Sequence, residues 1–441
     1  MTDLTWLWVS AFAVGLLLLF ARVNVMYFVA ASTASAVIGI GILVQQGVVG
    51  PGVAITYAIS ACALFIGYGL GALRGGRERA VTRTIVVDSG DRPRRDRAIK
   101  ATVWFAGLLS LYHLARIGFP VFSSTIEVDR FDFTSSGLFG IPGRMYLYGV
   151  PLAWIIASCG AQAAEVQWRA YSPWRTATFF LVASALLSGF KSGLIAQATL
   201  MLIMAVFLTG HRFTVWSAAA RHWWVAVLAA AYGFVVALSY STYRTAGAPV
   251  WQQLFDRLTV VGAEPKAIAI QSDVVGAAGN MIVSDFSYFI AKYSGSPIPG
   301  SFTFERAVSA QIIGADPSSD SWTVPVTVGG IPELLFSLGW PFATLLLLAI
   351  GYAIGSLRPQ GRSFGYCVLA ATIVYAFYLW ITRGGVAYYA INVAAVLCIL
   401  AVPYATSWLL WTRNARRTPH SAYRNITKNR PSATPSEGLQ V

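Results

Sequence analysis

The chain has few charged residues for its length. Only 11% of its 441 residues are Asp, Glu, Lys or Arg, whereas soluble domains carry about 25%. Hydrophobic residues make up 56% of the chain, which is more apolar surface than a soluble core is expected to hide. The composition therefore argues against a soluble enzyme and predicts helices that face lipid.

Cysteine and histidine are also scarce. The four cysteines, Cys62, Cys159, Cys367 and Cys398, all lie inside apolar runs, and no C-x-x-C spacing occurs. A disulfide framework and a cysteine metal site are therefore not expected. No histidine lies in the long polar segment 241–330, which disfavours a zinc hydrolase. P-loop, G-x-S-x-G and dinucleotide-binding patterns are absent, so we expect no cofactor and no metal.

Long apolar runs predict about eleven transmembrane helices, because a helix needs about 20 mainly apolar residues to cross a bilayer. The predicted spans are 4–21, 23–45, 52–73, 101–118, 145–164, 176–190, 193–210, 223–240, 331–356, 364–381 and 386–411. The apolar run 176–210 is broken between Ser188 and Gly193, where we predict the tip of a helical hairpin. The expected fold class is an all-α polytopic membrane bundle over residues 1–411.

The distribution of Lys and Arg predicts the orientation of this bundle. With Met1 outside, most of the 32 basic residues fall on the cytoplasmic side, as the positive-inside rule requires. The basic loop 74–100 and the polar tail 412–441, which we expect to be disordered, then lie in the cytoplasm. The net charge of +14 is explained by topology, so no nucleic-acid partner is expected.

Two polar segments, 119–144 and 241–330, fall on the outer side. The longer one lies between the eighth and ninth predicted spans and is rich in aromatic and aliphatic residues. A loop of that length is usually functional or disordered. Its apolar content argues against disorder, so we predict short helices that lie over the bundle.

Basic residues on the outer side call for an explanation, because the orientation rule leaves few there. They are Arg116, Arg130, Arg144, Lys191, Arg244, Arg257, Lys266, Lys292, Arg306 and Arg383. Several lie where a helix meets a loop. A ring of guanidinium groups at that level suits a phosphate or pyrophosphate headgroup. Each one alone is equally explained by snorkelling or by an ion pair with a loop carboxylate.

Candidate acid–base residues lie on the same side. The outer carboxylates are Glu127, Asp129, Asp132, Asp256, Glu264, Asp273, Asp285, Glu305, Asp316, Asp320 and Glu333. Glu333 follows a proline at the start of an apolar helix. It fits either a general base whose pKa is raised by partial burial or a carboxylate favoured by the helix dipole. Asp129 is the next candidate. His113 lies one turn before Arg116, where a packed histidine is the simpler interpretation.

Four stretches carry a resemblance to a known family. They are the segment Gly118–Arg144, which includes Asp129 and Arg130; Leu187–Gly193, with Lys191 where the family has Arg; Gly329–Pro341 around Glu333, with Ser337 where the family has Asn; and Thr382-Arg383-Gly384. In this order, and on one side of the membrane, they resemble the Wzy-like oligosaccharide repeat-unit polymerases, or O-antigen polymerases, of bacterial surface polysaccharide assembly.

The resemblance implies a GT-C-like glycosyltransferase in the bacterial plasma membrane, with its N-terminus outside and its C-terminus in the cytoplasm. Its substrate would be a polyprenyl-pyrophosphate-linked oligosaccharide, and its partners membrane lipid and a chain-length regulator or flippase. We expect Arg130, Lys191, Arg244 and Arg383 on the pyrophosphate, and Glu333 or Asp129 at the acceptor hydroxyl. Second-line binding residues are Arg144, Arg257, Arg306, His113 and Arg116.

Several other functions compete with this interpretation of the sequence. An O-antigen ligase-like enzyme is expected to use a histidine in its large loop, and none is present. Arabinosyl or mannosyl transferases of the GT-C class usually show an acidic pair in the first outer loop, whereas 46–51 has no Asp or Glu. A transporter or flippase predicts charged residues in helix centres and repeat symmetry. Neither is evident. A non-catalytic scaffold is compatible with the sequence.

Overall fold

The computed structural model describes residues 25–77, 91–124, 137–190, 193–210, 215–238, 260–271, 281–296, 298–319, 326–360 and 362–417, with isolated residues at 247, 249 and 253. Across this part of the chain the protein is all-helical and contains no strand. The predicted span 4–21 lies outside the described residues, and so does most of the predicted tail.

The described residues form 14 helices. They are α1 (Tyr27–Gln45), α2 (Pro51–Arg77), α3 (Arg92–Arg116), α4 (Val150–Ala163), α5 (Ser172–Leu187), α6 (Gly193–Thr209), α7 (Val215–Leu238), α8 (Val260–Gln271), α9 (Met281–Tyr293), α10 (Phe304–Ile313), α11 (Gly330–Leu338), α12 (Trp340–Ser356), α13 (Phe364–Arg383) and α14 (Val386–Arg417). A single helical turn, Ile141–Arg144, and a π-helical turn, Met145–Gly149, lead into α4.

Several of these helices are long and apolar enough to cross a membrane, which indicates a membrane protein. Five meet that description over the ranges Tyr27–Gln45, Pro51–Arg74, Arg92–Phe122, Phe364–Arg383 and Val386–Leu410. Two shorter apolar helices are Gly193–Thr209 and Trp340–Ser356. The predicted hairpin break is present, since α5 ends at Leu187 and α6 begins at Gly193. The full count of eleven spans stays a prediction.

Some predicted boundaries differ from those of the structure. The predicted span 331–356 is two helices that meet at Gly339, whose φ of 75° is outside the helical range. At the other end of the bundle, α3 already begins at Arg92, inside the predicted loop 74–100, and α14 continues to Arg417, into the predicted tail. Hydropathy locates these ends poorly, because Arg and Lys are good helix formers although they leave the apolar layer.

Glycine residues allow the close approach of helices α2 and α12. Each helix carries a G-x-x-x-G pair, Gly67 with Gly71 on α2 and Gly351 with Gly355 on α12. A Cβ atom at Gly67 would lie 2.0 Å from the carbonyl oxygen of Leu348, and one at Gly351 would lie equally close to the α2 backbone, at 2.1 Å. Such small residues let membrane helices pack backbone to backbone. The two helices run parallel, as the predicted topology requires of spans that both start outside.

Three helices of the predicted outer segment 241–330 pack onto the bundle. Helix α8 lies along α1, and α9 lies along α14. Helix α10 packs against α11, where the rings of Phe304 and Phe336 have centroids 5.1 Å apart. These helices cover the region in which α13 turns into α14, and the candidate site lies there.

Candidate active site at the turn between the last two helices

A two-glycine turn joins α13 to α14. Gly384 and Gly385 have φ values of 88° and 72°, in the region that favours glycine. A Cβ atom on Gly384 would lie 3.0 Å from the backbone nitrogen of Gly329, and one on Gly385 would lie 2.6 Å from Oε1 of Glu305. Both positions therefore require glycine for two reasons: the φ values are positive, and neighbouring atoms leave no room for a Cβ atom.

Glu333, near the start of α11, hydrogen-bonds residues on both sides of the Gly384–Gly385 pair. Its side chain is 0% exposed. Oε2 accepts a hydrogen bond from the indole nitrogen of Trp380 at 2.8 Å, and Oε1 accepts one from the backbone N–H of Val386 at 3.0 Å. Burial raises the pKa of Glu333 to about 7, although both donors favour the charged form. The geometry fits a carboxylate that positions the turn. Its predicted role as a base stays untested.

Two more carboxylates lie beside Glu333. Asp285 on α9 is 0% exposed, and its Oδ1 accepts a hydrogen bond from the backbone N–H of Phe304 at 2.9 Å. Its Oδ2 is buried without a hydrogen-bond partner among the described residues. Glu305 on α10 is half-buried, with its carboxylate against Gly385. Burial first, and then the neighbouring carboxylates, raise the pKa of Asp285 to about 7 and that of Glu305 to about 8.

Arg383, the last residue of α13, immediately precedes the turn. Its guanidinium donates a hydrogen bond to the hydroxyl of Tyr389 and lies close to Tyr375 and Tyr148. Protein atoms surround this side chain on most sides, yet the residue is exposed. Arg383 also borders a cavity of about 120 Å³.

The wall of this cavity joins parts of the chain that are distant in sequence. The start of α4 and the preceding π-turn contribute Tyr146 and Tyr148, and α13 contributes Tyr378 with Arg383. The remaining wall includes Ser188, Phe190, Gly193 and Gln197, which belong to the hairpin break and the start of α6. Residues on either side of Lys191 thus line the same cavity as Arg383, although Lys191 itself lies outside the described residues.

A group of tyrosines interacts with both Arg383 and Glu305. Tyr148 and Tyr388 share a hydrogen bond, and Tyr148 meets the rings of Tyr388 and Tyr389 at centroid distances of 6.3 and 6.2 Å. Tyr388 and Tyr389 are also near enough to Glu305 to interact with it electrostatically. Tyr389 therefore interacts with both the guanidinium of Arg383 and the carboxylate of Glu305.

Arg144 approaches the same region from the turn before α4. Its Nε donates a hydrogen bond to Oδ1 of Asn392 at 3.1 Å, and its guanidinium lies 4.7 Å from the ring centroid of Tyr293. The amide of Asn392 in turn donates to the Tyr293 hydroxyl at 3.1 Å. This network holds Arg144 between α9 and α14, where it interacts electrostatically with Tyr388.

The other predicted residues are placed as follows. His113 is buried, and its ring is stacked on Tyr146, a cavity residue, with centroids 5.8 Å apart. Arg116 is exposed at the end of α3, and Arg306 donates a hydrogen bond to the backbone carbonyl of Ser319. Five predicted site residues lie outside the described residues: Asp129, Arg130, Lys191, Arg244 and Arg257.

Sequence reasoning did not single out Glu305, Asp285 or the tyrosines. Glu305 reads as a first-turn helix carboxylate that follows the N-cap residue Thr303, and such carboxylates are common. No local sequence signal distinguishes Glu305 from such residues, because what sets it apart is its contact with Gly385, which is distant in sequence. Among the described residues, no group of three or more His, Cys, Asp or Glu side chains is arranged to hold a metal ion.

Comparisons with known proteins returned nothing for this chain. No protein-family model matches it, and no curated protein and no solved structure matches it significantly. The likeness to repeat-unit polymerases therefore depends on the four stretches of sequence. The structure adds the spatial relation between the described parts of those stretches.

Proposed function

We propose that the protein is a membrane glycosyltransferase that polymerises polyprenyl-pyrophosphate-linked oligosaccharide repeat units into a cell-surface polysaccharide. The observation that carries the proposal is the shared cavity. Arg383, from the fourth family-like stretch, and the residues flanking Lys191, from the second, line the same space. Glu333, from the third stretch, holds the turn that follows Arg383. Three stretches that are far apart in sequence thus serve one site.

The chemistry of repeat-unit transfer suits this arrangement. The bond between the anomeric carbon and the pyrophosphate oxygen breaks, and negative charge develops on the leaving pyrophosphate. A positioned guanidinium stabilises that charge, and its planar fork matches phosphate oxygens. Arg383 borders the cavity and is held by Tyr389, so it is the described residue best placed for this role. In the proposal Arg130, Lys191 and Arg244 share the pyrophosphate with it.

The membrane setting follows from the same proposal. The enzyme lies in the bacterial plasma membrane with its N-terminus outside, so the helix ends around Arg383 face away from the cytoplasm. The apolar bundle shelters the polyprenyl chain, and the helices α8 to α10 border the region where sugars bind. A chain-length regulator or a flippase is the expected protein partner. No metal or cofactor is required in this scheme.

The test is a polysaccharide gel of the source bacterium with the gene deleted and then complemented. Arg383→Ala is expected to leave only single-repeat material on the lipid carrier, while the wild type restores long chains. Arg383→Lys keeps the charge without the fork and is expected to restore short chains at most. Arg362→Ala is the matched control, because Arg362 is an exposed arginine before α13, at the opposite end of that helix.

Two outcomes would contradict the proposal. Wild-type chain length in an Arg383→Ala strain, with the variant present in the membrane at normal levels, would remove Arg383 from the mechanism. If deletion leaves chain length unchanged but the glycan fails to reach its final carrier, the protein is a ligase-like transferase instead.

A further inference from the structure

The three carboxylates around the Gly384–Gly385 turn differ in their hydrogen bonds and in their exposure. Glu333 accepts hydrogen bonds from Trp380 and Val386, and Asp285 accepts one from Phe304. Glu305 accepts none from the residues that the structure describes, and no ion pair joins it there. It is also the carboxylate of the three that keeps part of its surface exposed. Glu305 therefore has both an unused acceptor and access for a ligand group.

The surroundings of Glu305 increase the affinity of its carboxylate for a proton. The titratable groups that face it are Asp285 from α9, Glu333 from α11, and Tyr388 and Tyr389 from α14. Burial and the two neighbouring carboxylates raise the pKa of Glu305 to about 8. A general base works best when its pKa lies near the working pH. By comparison, a solvent-exposed glutamate in the first turn of a helix has a lower pKa, so it is fully ionised and is a weaker base.

The position of Glu305 relative to Arg383 suits the two ends of a transfer reaction. Both residues are close to Tyr389, which hydrogen-bonds Arg383 and interacts electrostatically with Glu305. Arg383 immediately precedes the turn and borders the cavity, and the carboxylate of Glu305 lies against Gly385, two residues further along the chain. A base for the attacking hydroxyl and a cation for the leaving group thus both border the Gly384–Gly385 turn.

We propose that Glu305 is the catalytic base that accepts the proton of the acceptor sugar hydroxyl. The assignment rests on the proposed function. The hydroxyl oxygen bonds to the anomeric carbon of the donor glycan as its proton passes to Glu305. The bond from that carbon to the pyrophosphate oxygen breaks, and its electron pair stays on the pyrophosphate beside Arg383. Glu305 afterwards releases the proton to water, which returns the site to its starting state.

The experiment measures polymer formation by the purified full-length protein in liposomes. The probe is the lipid-linked single repeat unit extracted from the source strain that lacks this gene. Glu305→Gln keeps the size of the side chain but cannot take a proton, so kcat is expected to fall on the order of 10²–10⁴-fold with KM nearly unchanged. Glu305→Asp should recover part of the rate. Glu264→Gln, which removes a carboxylate on α8, is the control.

The pH profile separates a base from a structural carboxylate. Wild-type kcat should rise with pH up to about 8, the pKa of Glu305, and the Gln variant should lose this acid limb. If Glu305→Gln turns over like the wild type, or is slower but keeps the wild-type pH profile, Glu305 is not the base while the proposed function stands. If the wild type itself forms no polymer from the probe, the proposed function fails and the inference fails with it.

Discussion

Two regions of the protein use glycine for close approach, and they do so for different purposes. At the α2–α12 interface, Gly67 and Gly351 remove side chains so that two apolar helices meet backbone to backbone. At the α13–α14 turn, Gly385 makes room for a carboxylate, and Gly330 makes room for the indole of Trp380, which a Cβ atom would meet at 2.7 Å. The first contact joins two helices, whereas the second gathers polar groups from α10, α11 and α13.

The contrast shows what kind of pattern each contact leaves in the sequence. The G-x-x-x-G spacing puts both small residues on one helix face, so it indicates a helix interface before any partner is known. The pair Gly384-Gly385 indicates only a turn. Its partners, Glu305, Glu333 and Gly329, belong to other segments and meet it only after the outer helices have packed. Stability of the bundle and assembly of the site should therefore respond differently to substitution.

The largest effect is expected at the helix interface. Gly67→Leu would drive a side chain into the carbonyl oxygen of Leu348, and backbone cannot move aside as a flexible side chain can. We expect little or no folded protein in the membrane, measured by size-exclusion chromatography of a fluorescent fusion.

Gly69→Leu is the matched control on the same helix, because a Cβ atom there would meet nothing within 4 Å among the described residues. It should fold normally. Equal behaviour of the two variants would show that the close α2–α12 contact does not hold the bundle together.

A smaller effect is expected at the turn. Glu333→Ala would leave the Trp380 and Val386 N–H groups buried without an acceptor, and each such group costs about 1–3 kcal/mol. The variant should fold, melt several degrees below the wild type and lose polymer formation. Glu333→Gln retains one acceptor oxygen and should melt in between. A melting temperature unchanged in Glu333→Ala would contradict the role of this carboxylate in holding the turn.

The smallest effect concerns pH. Burial raises the pKa of Asp285 from 3.8 to about 7, so the folded protein binds this proton more tightly than the unfolded chain. The corresponding stabilisation is complete below pH 3.8 and is lost as the pH rises through about 7. Melting temperatures measured from pH 5 to 8 should therefore fall with rising pH in the wild type.

Asp285→Asn removes this titration but keeps an oxygen that can accept the Phe304 N–H. Its melting temperature should depend less on pH than that of the wild type, with a remaining slope of the same sign from Glu305 and Glu333, whose pKa values are also raised. A wild-type melting temperature that increases from pH 5 to 8 would show that these carboxylates are ionised in the folded protein.

The sequence by itself determined the helical class and most helix positions. The predicted spans 193–210 and 364–381 correspond closely to α6 and α13, Gly193–Thr209 and Phe364–Arg383. The physical reason is that a long apolar run in lipid has to satisfy its backbone hydrogen bonds internally, and a helix does so. The break at Gly339 escaped prediction because the hydropathy on either side of it remains high.

Only the tertiary structure decided which polar residues work together. The sequence predicted that Arg383 and the break at Lys191 lie on one side of the membrane, but a shared cavity depends on distances that no local pattern records. It also favoured Glu333, which proves to be enclosed by donors, over Glu305, which lies open against Gly385. Burial, donors and neighbouring charges set what a carboxylate can do, and those arise when distant segments pack against the same turn.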